Sequence, residues 1–168
     1  MNKEAILADL DRSTENLFAV ISRFPPGHFR HKPSENEWSA AQIAEHLLKV
    51  DLSTYKALCG ETIPTNRPPD QKISLLKLAM EDSTKRAAPP TVIPSSAAFV
   101  QEVILQHLKA QREKLRETVR VSDLTEACIT FKHPFLGTMT KLEWVYFTIY
   151  HAERHVRQMN AMVENSIA

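Results

Sequence analysis

The sequence predicts an all-α protein, a four-helix bundle, from three observations. Only three glycines occur in 168 residues, too few for the tight turns that a sheet of this size would need. The long segments draw on Leu, Ala, Glu, Lys, Gln and Arg, which give up little on entering a helix. Apolar residues recur at helical spacing in four segments, bounded by recognisable start and stop signals. With 43% hydrophobic residues, a chain of this length can bury a core without disulfides, so residues 1–168 are expected to form a single domain.

The first helix is expected near residues 3 to 23, where Ile6, Leu10, Leu17, Val20 and Ile21 fall within an arc of about 100°. It stops ahead of Pro25-Pro26-Gly27. A second helix starts after Trp38-Ser39, with Ser39 as N-cap, Gln42 closing a capping box and Trp38 stapled onto Ile43. It runs to Cys59 and ends at Gly60. Residues 61 to 95, rich in proline, read as a crossover in which Ile73 to Arg86 forms a short helix.

The third helix is expected from Ser95 or Ser96 to about Val121. Val100, Val103, Ile104, Leu108, Leu115 and Val119 make its apolar face, and His107 and Gln111 lie on that face. Residues 122 to 139 connect to the last helix, with a turn at His133-Pro134-Phe135-Leu136-Gly137 and a brief extended stretch from Cys128 to Phe131. Thr140-x-x-Glu143 then repeats the capping-box signal, with a staple pair beside it, and opens a fourth helix lasting to about Val163. A crossover of this length can span a helix of about 30 Å, so the second and third helices can run parallel in an up-down-down-up bundle.

Twenty-one Lys and Arg against 20 Asp and Glu give a net charge of +1 with no block of like charge, which argues against nucleic acid as a partner. No segment approaches the roughly 20 apolar residues of a membrane span, and the first residues lack the apolar run of a secretory leader. The protein is therefore expected to be soluble and cytoplasmic. Cys59 and Cys128 form no CxxC motif, so they read as buried or half-buried free thiols and not as metal ligands.

The candidate chemistry lies in the histidines. On the fourth helix Trp144, Thr148, His151, His155, Gln158, Met159 and Met162 share one face, and imidazoles at i and i+4 stack closely enough to reach one ion. Glu153 sits two residues after His151, out of register for the zinc-protease pattern, and reads as an exposed acid near Arg157. On the second helix His46 shares the inward stripe with Ile43, Leu47, Val50 and Thr54, while Glu45 and Lys49 form an outward i,i+4 pair. With these two helices antiparallel, His46, His151 and His155 come to one level. A divalent ion would satisfy three buried imidazoles that are otherwise costly to bury, leaving a position open for water or a thiol.

Around this metal triad, Gln42 and Gln158 read either as groups that orient ligands or as capping and packing residues. His107 is a candidate pocket residue or an ordinary packed histidine. Trp144 reads as staple and core, and His28, His31 and His133 as loop residues, with His133 a candidate for the mouth of the site. No nucleophile or acid–base pair is evident.

Taken in order, Trp38-Ser39-x-x-Gln42-Ile43-x-x-His46-Leu47 and Gly137-x-x-Thr140-x-x-Glu143-Trp144 leading into His151-x-x-x-His155-x-x-Gln158 resemble the DinB-like superfamily with its YfiT-type metal-dependent hydrolases. Lys32-Pro33 and His133-Pro134 extend the resemblance over nearly the whole chain. The resemblance implies an up-down-down-up bundle, homodimers, and a nickel or zinc ion on His46, His151 and His155. Members of the superfamily are similar in site and varied in chemistry. Some resemble S-transferases that use low-molecular-weight thiols such as bacillithiol or mycothiol, others are classed as hydrolases, and some lack the triad. A metal-dependent hydrolase or thiol-dependent S-transferase acting on a small molecule is the expected function; a non-catalytic small-molecule-binding or structural dimeric bundle is the alternative.

Overall fold

The computed structural model describes residues 2–25, 27–82, 84, 87–96 and 99–167. Four long helices make the bundle: α1 (Lys3–Ser22), α2 (Ala40–Cys59), α4 (Gln101–Val121) and α5 (Lys141–Ile167). A short α3 (Ile73–Glu81) lies in the crossover, and a two-stranded antiparallel ladder pairs β1 (Thr62–Ile63) with β2 (Ala127–Cys128).

Cross-helix contacts fix the directions. Asp9 meets Tyr146, Ser13 meets Ile149 and Arg23 meets Asn160, so α1 and α5 are parallel. Thr54 bonds Thr148 while His46 meets His151, so α2 and α5 are antiparallel. Gln101 reaches the Ile21 carbonyl at one end and Arg116 reaches Asp11 farther along, so α4 runs against α1. The bundle is up-down-down-up, with α1 and α5 running one way and α2 and α4 the other. Each of α1 and α2 packs on both α4 and α5, so α1 stands diagonal to α2 and α4 diagonal to α5. Two apolar clusters fill the interior. One gathers Leu17, Ile21, Ile43, Leu47, Ile104, Leu108 and Met159, and the other Leu10, Leu58, Leu76, Leu115, Val119 and Ile149.

Helix starts follow their local chemistry where the caps are present. Asn2 caps α1 by accepting from the Ala5 amide. Ser39 and Gln42 close their capping box at α2, and Thr140 and Glu143 close theirs at α5. Gly60 ends α2 in extended backbone; a Cβ there would meet Thr130 Oγ1 at 2.6 Å, so glycine lets the chain pass close under the second connection.

Several boundaries differ from the sequence expectation. Helix α4 starts at Gln101, not at Ser95 or Ser96, and its N-cap Val100 offers no side-chain acceptor. Ser95 stands six residues before that start, and its amide and hydroxyl both donate to Glu45 of α2; residues 97 and 98 lie outside the described ones. Val100 is exposed rather than part of the buried face. Helix α3 ends at Glu81, after which the Asp82 carboxylate accepts from the Thr84 amide in a tight local turn, and residues 83, 85 and 86 lie outside the described ones. Helix α5 continues past Val163 to Ile167. The extended stretch is Ala127–Cys128, stabilised by a partner strand directly after α2 that has no strand signature of its own. Cys128 is buried, with its thiol pushed up to about 11 by burial, but Cys59 is exposed, contrary to the expected half-buried thiol.

The crossover is tied to the bundle at both ends. Near its start, Arg67 holds Glu143 with two 2.6 Å contacts, and the Lys72 amide donates to the same carboxylate. Glu143 is fully buried, so its residence depends on these donors. Near its end, the crossover lies along the first turns of α2.

Candidate metal centre

His46 stands two turns into α2, and His151 and His155 are successive-turn neighbours on α5. The antiparallel packing of those helices brings the three rings to one level, with centroids 4.7 to 5.1 Å apart. One ring nitrogen from each lies within 4.8 Å of the others. His46 Nε2 and His151 Nε2 are 3.3 Å apart. Among the described residues this is a cluster of three imidazoles, with no carboxylate or thiolate in it.

The outer nitrogens decide what the inner ones can do. His46 Nδ1 donates to the Val92 carbonyl at 2.8 Å, and His155 Nδ1 donates to Gln158 Oε1 at 2.9 Å. A neutral imidazole that donates from Nδ1 carries its lone pair on Nε2, so both rings turn an acceptor toward the centre. This is the outer support seen around metal-bound histidines. His151 is partly exposed as a residue, yet its Nδ1 is sealed from solvent without a protein partner. Protonation of the converging imidazoles is disfavoured. Burial above all, with His46 as an unfavourable neighbour, holds the His155 imidazole down to about 3. Burial lowers His46 as well, and burial together with the other two rings holds His151 well below its ordinary value. A divalent ion fits this donor set because it satisfies all the converging nitrogens at once.

Aromatic rings wall the cluster. Trp38 lies 5.1 Å from His46, and Phe147 stacks on His151 at 5.4 Å. His133 packs on Phe147 at 5.1 Å, one ring removed from the triad, and its Nδ1 accepts from the Phe135 and Leu136 amides.

The other sequence candidates divide clearly. Gln158 supports His155. Gln42 both caps α2 and donates to the Ser95 carbonyl, so it fastens the crossover and touches no triad nitrogen. His107 is exposed and packs edge-on against Phe99, away from the site. Trp144 is buried in the core. Glu153 is half-buried rather than exposed, burial raising its carboxyl against the pull of Arg157, whose guanidinium donates to the Met80 carbonyl. His28 and His31 lie in the loop after α1, beside a cavity of about 570 Å³ also lined by Phe24 and Met162.

Two supporting groups escaped the sequence reading. Val92 contributes only a backbone carbonyl, which no side-chain pattern reveals. Glu45 looked like half of a solvent-facing pair; it does bridge to Lys49 at 2.9 Å, yet it is 4% exposed because the crossover covers it.

The DinB superfamily model matches residues 9–159. The chain belongs to the DinB superfamily. This DinB superfamily protein is 28% identical over 135 residues to the uncharacterized protein YuaE of Bacillus subtilis (strain 168), covering 79% of this chain and 82% of that one. It is similar in fold to two solved structures. TT2238, a four-helix bundle protein, matches with TM-score 0.62 and 22% identity over 95% of this chain and 99% of that one. YfiT from Bacillus subtilis, described as a probable metal-dependent hydrolase with an unusual four-helix bundle topology, matches with TM-score 0.63 and 15% identity over 97% and 86%. No helix among the described residues is long and apolar enough to cross a membrane.

Proposed function

We propose that His46, His151 and His155 hold one divalent metal ion, nickel or zinc, and that the protein is a metal-dependent enzyme acting on a small molecule as a hydrolase or a thiol-dependent S-transferase. The observation that carries this reading is the convergence of three neutral imidazoles whose outer nitrogens are already committed on His46 and His155. Three nitrogen ligands suit a borderline-soft ion and leave a tetrahedral position free. When bound, such an ion supplies Lewis-acid activation of a water or a thiol at neutral pH.

The protein's own groups do the rest. All three ligands are neutral, so none offsets the charge of a dication, which favours an anionic fourth ligand. The Val92 carbonyl and Gln158 fix the tautomers and orientations of His46 and His155. Trp38 and Phe147 limit water around the rings and offer apolar surface to the organic part of a small substrate. The description of YfiT as a probable metal-dependent hydrolase supports the reading by fold likeness alone.

Elemental analysis of untagged protein purified without chelator tests the assignment. About one nickel or zinc per chain is expected, lost in His46→Ala and in His155→Ala. Cobalt-substituted protein should change its visible spectrum when small thiols or inhibitor-like anions are added. A native protein that is metal-free and takes up no added ion would refute the metal centre.

A further inference from the structure

The crossover does not merely pass the site; one face of α2 grips it. Gln42, Glu45, His46 and Lys49 stand at i, i+3, i+4 and i+7, a single helix face. Each of the four holds a backbone group of the segment from Val92 to Ser95. Gln42 Nε2 donates to the Ser95 carbonyl at 3.3 Å, and His46 Nδ1 to the Val92 carbonyl at 2.8 Å. Lys49 Nζ donates to the Ile93 carbonyl at 2.7 Å. Both Glu45 oxygens accept from the Ser95 amide, at 3.0 and 3.1 Å, and one of them accepts from the Ser95 hydroxyl at 2.9 Å.

We propose that Glu45 is a positioning residue for His46: by clamping Ser95 against α2 it holds the Val92 carbonyl on His46 Nδ1 and so keeps His46 Nε2 turned toward the other two histidines. The inference rests on the metal-centre reading and adds to it a residue that touches none of the rings.

The chemistry supports this role over simple surface pairing. An exposed Glu–Lys pair on a helix needs no cover and contributes little. Glu45 is instead 4% exposed, and a carboxylate so buried is costly unless several donors meet it. Its donors come from the crossover and from Lys49, which in turn reaches the crossover. Val92 sits at the end of a short turn, Pro90–Val92, and is itself buried. Its carbonyl therefore has a fixed address three residues before the clamped serine. A carbonyl on Nδ1 selects the tautomer whose lone pair is on Nε2, and such outer partners typically change metal affinity 10- to 100-fold.

The test compares wild type with Glu45→Ala and with Glu45→Gln, which keeps the size and one acceptor oxygen but loses the charge. Nitrogen-15 NMR of the metal-free proteins reads the His46 tautomer, amide exchange reads the Ser95 amide, and competition with a chromophoric chelator reads zinc affinity. In wild type His46 is a single Nδ1–H tautomer and the Ser95 amide is protected. In Glu45→Ala the Ser95 amide loses protection, His46 becomes a mixture of tautomers, and zinc affinity falls about 10- to 100-fold; Glu45→Gln shows the same changes to a smaller degree. Either variant, folded by its amide spectrum, with a wild-type His46 tautomer and wild-type Ser95 protection would overturn the proposal. Should Glu45→Ala fail to fold, Glu45→Gln alone decides. A lost tautomer in a protein that binds zinc in neither form would leave the clamp standing and remove the metal centre instead.

Discussion

Two buried polar layers cross the bundle, five residues apart on α2, and they solve the same problem in opposite ways. Asp51 and Arg112 meet at 2.6 Å between α2 and α4, with side chains 1% and 3% exposed. Their charges cancel, and Gln111 adds a bond to the Asp51 carbonyl. Burial pushes the Asp51 carboxyl up while the Arg112 cation pulls it back down. One step along, His46, His151 and His155 present three groups of the same kind, one nitrogen of each turned inward, with no carboxylate or thiolate among them. The Asp51–Arg112 pair is balanced in charge, although Asp51 Oδ1 and both terminal nitrogens of Arg112 are buried without a hydrogen-bond partner, whereas the three neutral imidazoles converge their nitrogens on one point that a cation can fill. The difference is one of charge: one layer pairs opposite charges, and the other gathers like neutral donors.

The largest expected effect tests the structural layer. Removing one partner, as in Asp51→Ala or Arg112→Met, leaves a buried charge uncompensated and should cost about 3–5 kcal/mol in urea unfolding. The double variant Asp51→Leu/Arg112→Met removes both charges and should recover most of that loss. Zinc uptake, measured on whichever variants stay folded, should persist. A double variant as unstable as the worse single one would show that the two residues do not act as a neutral pair.

The next effect belongs to the triad and to pH. In the metal-free fold all three imidazoles are held below 6.5, His155 to about 3. Between the folded and unfolded values the unfolded chain binds more protons, so stability is full above about 6.5 and falls as pH drops toward the folded values. Each such histidine contributes a slope of up to about 1.4 kcal/mol per pH unit within that window. His155→Gln should flatten the dependence between pH 6 and pH 4 measured by urea unfolding at several pH values, within the ~3 to ~6.5 span set by the linkage. An unchanged slope would show that His155 is not held neutral by the fold.

The smallest effect concerns the support. Gln158→Ala removes the acceptor for His155 Nδ1 and should weaken zinc binding about 10-fold with little change in metal-free stability. Isothermal titration beside urea unfolding separates the two. Equal affinity in the variant would mean that Gln158, exposed as it is, makes only a surface contact.

The helices and the triad were legible because each depends on local pattern. Capping boxes at Ser39 and Thr140 mark helix starts by bonds within four residues. The inward direction of His46, His151 and His155 follows from helical pitch, and the antiparallel packing then brings them together. Misreadings cluster where a residue's partner is distant in sequence. Ser95 carries a good capping side chain but answers to Glu45, 50 residues away. His107 lies on the expected face of α4, yet the bundle leaves that part of the face uncovered. Cys59 falls at the last turn of α2, on the side of the helix turned away from the core that buries Ala57 and Leu58.

By itself, then, the sequence determined the helix count, the faces those helices bury and the three histidines that share a level, since periodicity and caps act over a few residues. Only the tertiary structure decided which groups stand behind those histidines. The Val92 carbonyl, the Glu45 clamp and the Arg67–Glu143 tie are set by the path of the crossover. A backbone carbonyl has no side chain to announce it, and a buried glutamate looks like an exposed one until the chain that covers it is in place.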